Sequence, residues 1–399
     1  MKFAAVAPPR LRTKEETERT ATWLELFYDL AFVAAVAMMG TRIVAEVSWA
    51  GVGSYLGYFA LVWWLWASHT FYADRYDTDD LIYRLLAGAQ MVAVAMIAVS
   101  VSLGDAGSTL GFAIGYTTAR LVLVVLYARA YRHVPESRIL VRGYLVGFGS
   151  ASLVWFASIF APEPARIWLW VVALAIDLAT PYAVRRAQAA VPLDVSHLPE
   201  RFGLFTILVM GEVIVAVTAG LSHVEWQAST TVVGVLGIGT ATCLWWINFD
   251  HHEGTSVRRR GERANWRPTV WIYSHLPLAV GLAMFGVSVE RAIVGADHGH
   301  EYHAAERWLL VGSVALALAA MAAIQIASVR EGREHLRRAA IRARLAGIPV
   351  VLLVGLIPGL SAVWAMALVA LICTAEIIAD LVAANPDVGA ALRRLAKAA

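Results

Sequence analysis

Charge and cysteine are what this 399-residue sequence has least of. Asp, Glu, Lys and Arg make up 16% of it, against about a quarter in soluble domains. So low a share of charge excludes an ordinary globular surface. The two cysteines, Cys243 and Cys373, both fall inside apolar runs, which excludes a disulfide framework and a thiolate metal site. There is no phosphate-binding loop, zinc-protease motif or nucleophile elbow. No cleavable signal peptide is read in the first 24 residues, where Lys2, Arg10, Arg12, Lys14, Glu15, Glu16, Glu18 and Arg19 suit a cytoplasmic tail or an interfacial helix.

What the chain has in abundance is apolar surface. Hydrophobic residues make up 59% of it and the mean hydropathy is +0.63. Long apolar runs alternate with short arginine-rich connectors, the pattern of stacked membrane spans. A span needs roughly 20 mostly apolar residues to cross about 30 Å of hydrocarbon. That ruler places helices at 25–44, 51–72, 81–103, 110–130, 141–160 and 166–184, then at 202–221, 228–249, 269–290, 307–329, 342–358 and 360–383. The last two are separable only if Pro358-Gly359 makes a hairpin rather than a kink. The fold class is therefore an all-α polytopic membrane bundle of about twelve spans.

Arginine placement orients it, and it also accounts for the net charge of +3. One set of connectors carries Arg129, Arg132, Arg138 and Arg142, then Arg185 and Arg186, then Arg258, Arg259, Arg260, Arg263 and Arg267. Arg330, Arg333, Arg337, Arg338, Arg342 and Arg344 follow, and the tail adds Arg393, Arg394 and Lys397. The opposite connectors offer little beyond Arg42, Arg166, Arg291 and Arg307. Both termini are expected in the cytoplasm, which requires an even number of spans.

The halves also echo each other. Glu25-Leu26-Phe27 matches Glu200-Arg201-Phe202, and Trp63-Trp64 matches Trp245-Trp246. Ile82-Tyr83 matches Ile272-Tyr273, and Asp177 matches Glu376. The expected organisation is a tail at 1–24, a six-helix repeat at 25–184, a connector at 185–201, a second six-helix repeat at 202–383 and a tail at 384–399. Equal topology in the halves implies an axis along the membrane normal.

Ionisable side chains within spans are costly and usually face the bundle interior or a wet cavity. Glu25 and Asp29 lie four apart, so they share one helix face at the mouth of the first span. They either hold a proton between them or exploit a helix amino terminus. Asp77-Thr78-Asp79-Asp80, with Arg84 after it, reads as a general acid or divalent-cation motif, or as a helix N-cap with Arg84 paired to a neighbour. Glu212, at mid-membrane, needs a proton, water or a cross-helix partner, for which Arg120 is a candidate. Asp177, Glu200, and Glu376 with Asp380 add to the acidic set.

Asp250-His251-His252-Glu253 resembles a metal site but suits an interfacial helix end, because adjacent histidines point to different helix faces. Tyr273 and His275 lie inside a span on the same side, where a histidine can titrate near neutrality. Asp297-His298-Gly299-His300-Glu301-Tyr302-His303 falls in an outer loop that either binds surface metal or is solvated. Trp63, Trp64, Trp245 and Trp246 either line a cavity and stabilise a cation or belong to interfacial belts. Gly51, Gly53 and Gly57, and Gly234, Gly237 and Gly239, suit close helix packing.

These strings resemble one family, the bacterial low temperature requirement A (LtrA) proteins. The likeness lies in Thr22-Trp23-Leu24-Glu25-Leu26-Phe27-Tyr28-Asp29-Leu30 and in Tyr76-Asp77-Thr78-Asp79-Asp80 with Arg84. It continues through His197, Glu200-Arg201-Phe202-Gly203-Leu204-Phe205-Thr206 and Gly211-Glu212 to Leu244-Trp245-Trp246, Phe249-Asp250 and Tyr273-Ser274-His275. It covers roughly residues 20–300 and is only hydropathic beyond. Asn248 departs from the tyrosine often found there in the family. The resemblance implies a multi-pass bacterial inner-membrane protein and supplies no mechanism.

Three functions compete. A transporter or channel for a small solute or ion, proton-coupled or not, would use Glu25, Asp29, Glu212, Arg120, Asp177, Glu200 and Asp250. An intramembrane enzyme acting on a lipid or isoprenoid would use Asp77, Asp79, Asp80, Tyr273 and His275 as catalytic groups, with magnesium entering only if the substrate carries a diphosphate. The third is a non-catalytic assembly or stress-adaptation factor. The lipid bilayer is the expected partner, alongside a small solute, ion or lipid-like substrate. Nucleic acid is not expected, no cofactor motif is identified, and a homodimer is left open.

Overall fold

The structure is a computed structural model that describes residues 7–11, 21–45, 47–103, 106–191, 193, 197–250, 266–297, 302–328 and 334–385. Among these it is helical almost throughout. The helices are α1 (Trp23–Ala45), α2 (Trp49–Arg75), α3 (Leu81–Leu103), α4 (Ala106–His133), α5 (Arg138–Phe160) and α6 (Ala165–Ala183). After the one-turn α7 (Arg185–Gln188) come α8 (His197–Ser222), α9 (Ala228–Phe249) and α10 (Arg267–Ala296), then α11 (Ala304–Ala327), α12 (Glu334–Gly355) and α13 (Ala362–Ala384). Every expected span falls on one of these helices. Pro358-Gly359 makes a turn, with Gly359 at φ 67°, so α12 and α13 are separate helices.

Local chemistry sets the helix ends. Thr22 and Glu25 cap α1 reciprocally: Thr22 N–H donates to Glu25 Oε2 at 2.8 Å, and Glu25 N–H donates to Thr22 Oγ1 at 3.3 Å. Asp80 caps α3 by accepting from Tyr83 N–H at 3.1 Å. A two-residue strand β1 (Arg10–Leu11) pairs antiparallel with β2 (Tyr76–Asp77), a contact with no signature in the sequence. Helix α12 begins eight residues before the expected span, because the arginine-rich stretch from Glu334 is already helical.

Among the described residues, ten helices are long and apolar enough to cross a membrane. The two long helices outside that group depart for different reasons. In α12 the first three turns carry arginine. In α2 four Trp and three Tyr, which score low on hydropathy, stand among the apolar side chains, and every side chain from Leu61 to Thr70 is buried. A helix buried all round is central to its unit.

The chain forms two compact units, Met1–Arg42 with Ser54–Phe205, and Ile43–Gly53 with Thr206–Ala399. In the first, α3 packs on α4, α4 on α5 and α5 on α6. In the second, α10 packs on α11, α11 on α12, α12 on α13 and α13 on α9, with Leu278–Val289 of α10 wholly buried. Close approach depends on some of the expected glycines and not others. A Cβ on Gly237 would meet Val289 at 2.6 Å, whereas Gly53, Gly57 and Gly239 face open space. Tighter contacts occur elsewhere: a Cβ on Gly147 would lie 2.1 Å from Thr180 Oγ1, and one on Gly347 would lie 2.1 Å from Glu376 Oε1.

Candidate functional site

The first unit holds a buried cluster of charge built by α1, α2 and the first two turns of α8. Asp29 follows Glu25 by one turn, so both carboxylates leave the same face of α1. Arg201 of α8 answers both: Nη1 lies 3.1 Å from Glu25 Oε1 and Nη2 lies 2.5 Å from Asp29 Oδ1. The Trp66 indole N–H donates to Asp29 Oδ1 at 2.7 Å. His197, one turn before Arg201, places Nδ1 3.0 Å from Asp74 Oδ1 and Nε2 3.8 Å from Glu25 Oε2. Arg75 stands beside Asp74 and donates to the carbonyls of Val191 and Phe71, both at 3.2 Å. Glu200 lies at the rim, where Oε1 accepts from Ala21 N–H at 3.2 Å.

Aromatic rings wall the cluster. Trp66 stacks on Phe205 at 4.1 Å and meets Phe202 edge-on at 4.9 Å. Tyr28 stacks on His69 at 4.2 Å, and His69 Nε2 is 3.3 Å from the Tyr83 hydroxyl. Trp63 and Trp64 are buried in the same wall. Several buried polar atoms here carry no hydrogen bond among the described residues: the Tyr28 hydroxyl, Asp29 Oδ2, Trp63 Nε1 and Thr70 Oγ1. Glu25, Asp29 and Asp74 are three buried carboxylates; the buried Arg201 guanidinium answers the first two, and the buried Arg75 adjoins Asp74. The set is electrically balanced when it holds one further proton.

The carboxylates of the Asp77–Asp80 run are divided among arginines. Arg84 pairs with Asp79, its Nε 2.8 Å from Oδ1, and Arg10 pairs with Asp77. Asp80 meets Arg129 and accepts from Ala7 N–H at 3.2 Å, while Arg129 also donates to the Ala7 carbonyl. The three carboxylates are each taken by a different arginine and do not converge. Burial raises the Asp80 carboxyl, but hydrogen bonds from Arg129, Tyr83 N–H and Ala7 N–H, with the Arg129 charge, outweigh that and hold its pKa below the ordinary value. Asp80 thus caps α3, and Arg84 is paired with Asp79.

Arg120 pairs with Asp177 of α6 rather than with Glu212. Both side chains are fully buried, Arg120 Nη1 donates to Ser68 Oγ at 3.2 Å, and its guanidinium lies 4.6 Å from the Phe148 ring centre. Asp177 stands where α6 passes α4, and that proximity decides the partner. Glu212, half-buried, belongs to the second unit.

In the second unit Arg344 of α12 pairs with Glu376 and Asp380 of α13, at 2.7 Å from Glu376 Oε2. His275 is buried and directs Nδ1 to the Trp271 carbonyl at 2.7 Å, one turn back on α10, with Tyr273 half-buried beside it. Trp245 and Trp246 are 46% and 42% exposed, so they do not line an interior. Helix α9 packs through Val233, Gly237, Leu244 and Ile247, which turns both indoles outward as an aromatic belt requires. Asp250 follows α9 as its C-cap, while His251, His252 and Glu253 lie outside the described residues. Of the outer-loop run, 298–301 are likewise outside, Asp297 accepts from Gln227, and His303 caps α11 with Glu306. Among the described residues no three His, Cys, Asp or Glu side chains are grouped to hold a metal ion.

Sequence reasoning reached Glu25 and Asp29 and the strings containing His197 and Arg201. It missed Asp74, His69, Tyr28 and Trp66 as parts of one site. The available signal was the run of buried-type aromatics in α2 closed by Asp74-Arg75, a charge pair at the end of an otherwise apolar helix.

An all-helical bundle with many membrane-length helices and buried ion pairs is a multi-pass membrane protein. The chain belongs to the bacterial low temperature requirement A (LtrA) family, whose model matches residues 20–382. That match extends well past residue 300, through the helices where the sequence resemblance is only hydropathic. The chain is also 25% identical over 287 residues to an uncharacterized protein of Rhizobium meliloti (strain 1021), covering 69% of this chain and 70% of that one.

Proposed function

We propose that this protein moves a small solute or ion across the bacterial inner membrane in exchange for, or together with, protons. The observation that carries the reading is the charge balance of the buried cluster. Glu25, Asp29 and Asp74 against Arg75 and Arg201 leave room for one proton, and His197 stands between two of the carboxylates. Charge buried at this cost is ordinarily retained for ion or proton traffic. Tyr28 from α1 stacks on His69 of α2, which meets the Tyr83 hydroxyl of α3, and Glu200 of α8 lies at the rim. Glu212 of α8 and Asp250 at the end of α9, both in the second unit, are further candidate proton-binding groups.

The reading carries a topology with it: twelve spans, both termini in the cytoplasm, and halves at 25–184 and 202–383 related by an axis along the membrane normal. Two features support the duplication. Arg138, Arg142, Leu145 and Gly147 of α5 recur in the same spacing as Arg338, Arg342, Leu345 and Gly347 of α12. Each of those glycines seats the following helix, Gly147 against Thr180 of α6 and Gly347 against Glu376 of α13.

The test is charge movement on a pH step across proteoliposomes fixed to a conducting support. The native protein gives a transient current, and Asp29→Asn abolishes it with helix content unchanged. An identical current from Asp29→Asn removes the cluster from the mechanism.

A further inference from the structure

The arginines at the start of α12 divide into two kinds. Arg344 points inward to Glu376 and Asp380, and Arg337 pairs with Glu334 at 2.8 Å. Arg338 and Arg342, one turn apart on the same face, are exposed and make no ion pair among the described residues. With Glu334 and the exposed His335 they line an open cleft of about 560 Å³. Two exposed guanidiniums one turn apart with one carboxylate between four lining groups form a site of net positive charge.

What lies below them on α12 is apolar. Continuing down the same face in steps of three and four come Leu345, Pro349 and Leu353, with Leu356 just past the helix end, and the three leucines are more than half exposed. A helix that shows arginine for its first turns and bare leucine for the rest matches the section of a lipid leaflet, phosphate above and acyl chain below. Free phosphate needs only the cationic end. The continuous leucine face is accounted for by a ligand with a tail.

We infer that this face of α12 binds an anionic phospholipid, with Arg338 and Arg342 on the phosphate and the acyl chains laid along Leu345 and Leu353. Arginine suits the task because its planar fork gives paired N–H donors to phosphate oxygens. The site is separate from the buried cluster and does not depend on the transport reading.

Native mass spectrometry of the purified protein in neutral detergent tests it, with phosphatidylglycerol or phosphatidylcholine added from mixed micelles. The native chain takes its first phosphatidylglycerol in preference to phosphatidylcholine, and excess inorganic phosphate leaves that binding unchanged. Arg338→Gln with Arg342→Gln reduces the preference by about tenfold to thirtyfold, while Arg338→Lys with Arg342→Lys keeps most of it. Equal uptake of the two lipids by the native chain overturns the inference without recourse to any variant. So does an unchanged preference in the glutamine variant, and displacement by inorganic phosphate reassigns the site to free anions.

Discussion

Arg201 and Asp29 meet across 172 residues of chain, Nη2 to Oδ1 at 2.5 Å, with neither side chain exposed. The contact ties the second turn of α8 to the second turn of α1 within one unit, and Glu25 shares the same guanidinium. One cation compensates two anions, so its loss is felt twice.

Arg201→Met therefore destabilises the protein by about 3–5 kcal/mol, because it strands buried carboxylates without a counter-charge. Arg201→Lys costs less, since it keeps the charge and forfeits the fork that reaches both. Trp66→Phe removes one donor to Asp29 and costs about 1.5–3 kcal/mol. Thermal unfolding in detergent ranks the three, and a native-like Arg201→Met would show that the carboxylates have another partner.

The Arg120–Asp177 pair behaves differently because one cation meets one anion. Asp177→Asn alone costs about 3–5 kcal/mol. Arg120→Met combined with Asp177→Leu restores most of that, since both charges leave together. A double variant as unstable as the sum of its parts would assign the pair a further partner.

Two glycines make the helix packing testable. Gly147→Ala costs about 1–3 kcal/mol, because the new methyl meets Thr180 at Cβ, 2.8 Å away and close to the backbone. Gly347→Ala meets the tip of Glu376, which can swing aside only by leaving Arg344. Its damage is relieved in part by Glu376→Ala, and Thr180→Ser does not rescue Gly147→Ala. Unfolding midpoints of the single and paired variants check both.

Asp80 gives a pH dependence whose sign is set by its environment. Its carboxyl is held below the ordinary 3.8, so the folded state favours the charged form. The stability it contributes is complete above that value and is lost as pH falls through the lower folded-state pKa. The gap in unfolding midpoint between native protein and Asp80→Asn is therefore constant from neutral pH down to the carboxylate range and narrows only below it. A gap that closes near neutrality contradicts the Arg129 pairing.

Helix positions were legible because each span is a run of about 20 apolar residues, a signal that survives without tertiary information. The short-range polar contacts were legible too: Glu25 with Asp29 on one face, and Asp79 with Arg84 nearby. Partners across helices were not. Arg120 carries nothing in its own neighbourhood to favour Asp177 over Glu212, and only the packing of α4 beside α6 decides it. Asp74 was hidden for a related reason. It closes α2, a helix whose Trp63 and Trp64 read as either cavity lining or interfacial belt until their burial shows them to be the interior of the unit.

The most direct measurement is proton flux into proteoliposomes under an imposed membrane potential, followed by an internal pH dye, for the native protein, Asp29→Asn and Glu212→Gln. Flux in the native protein that Asp29→Asn abolishes and Glu212→Gln reduces, with all three folded, is the predicted result. Native flux indistinguishable from empty vesicles across a panel of ions and small metabolites would contradict transport and leave the buried cluster a structural role.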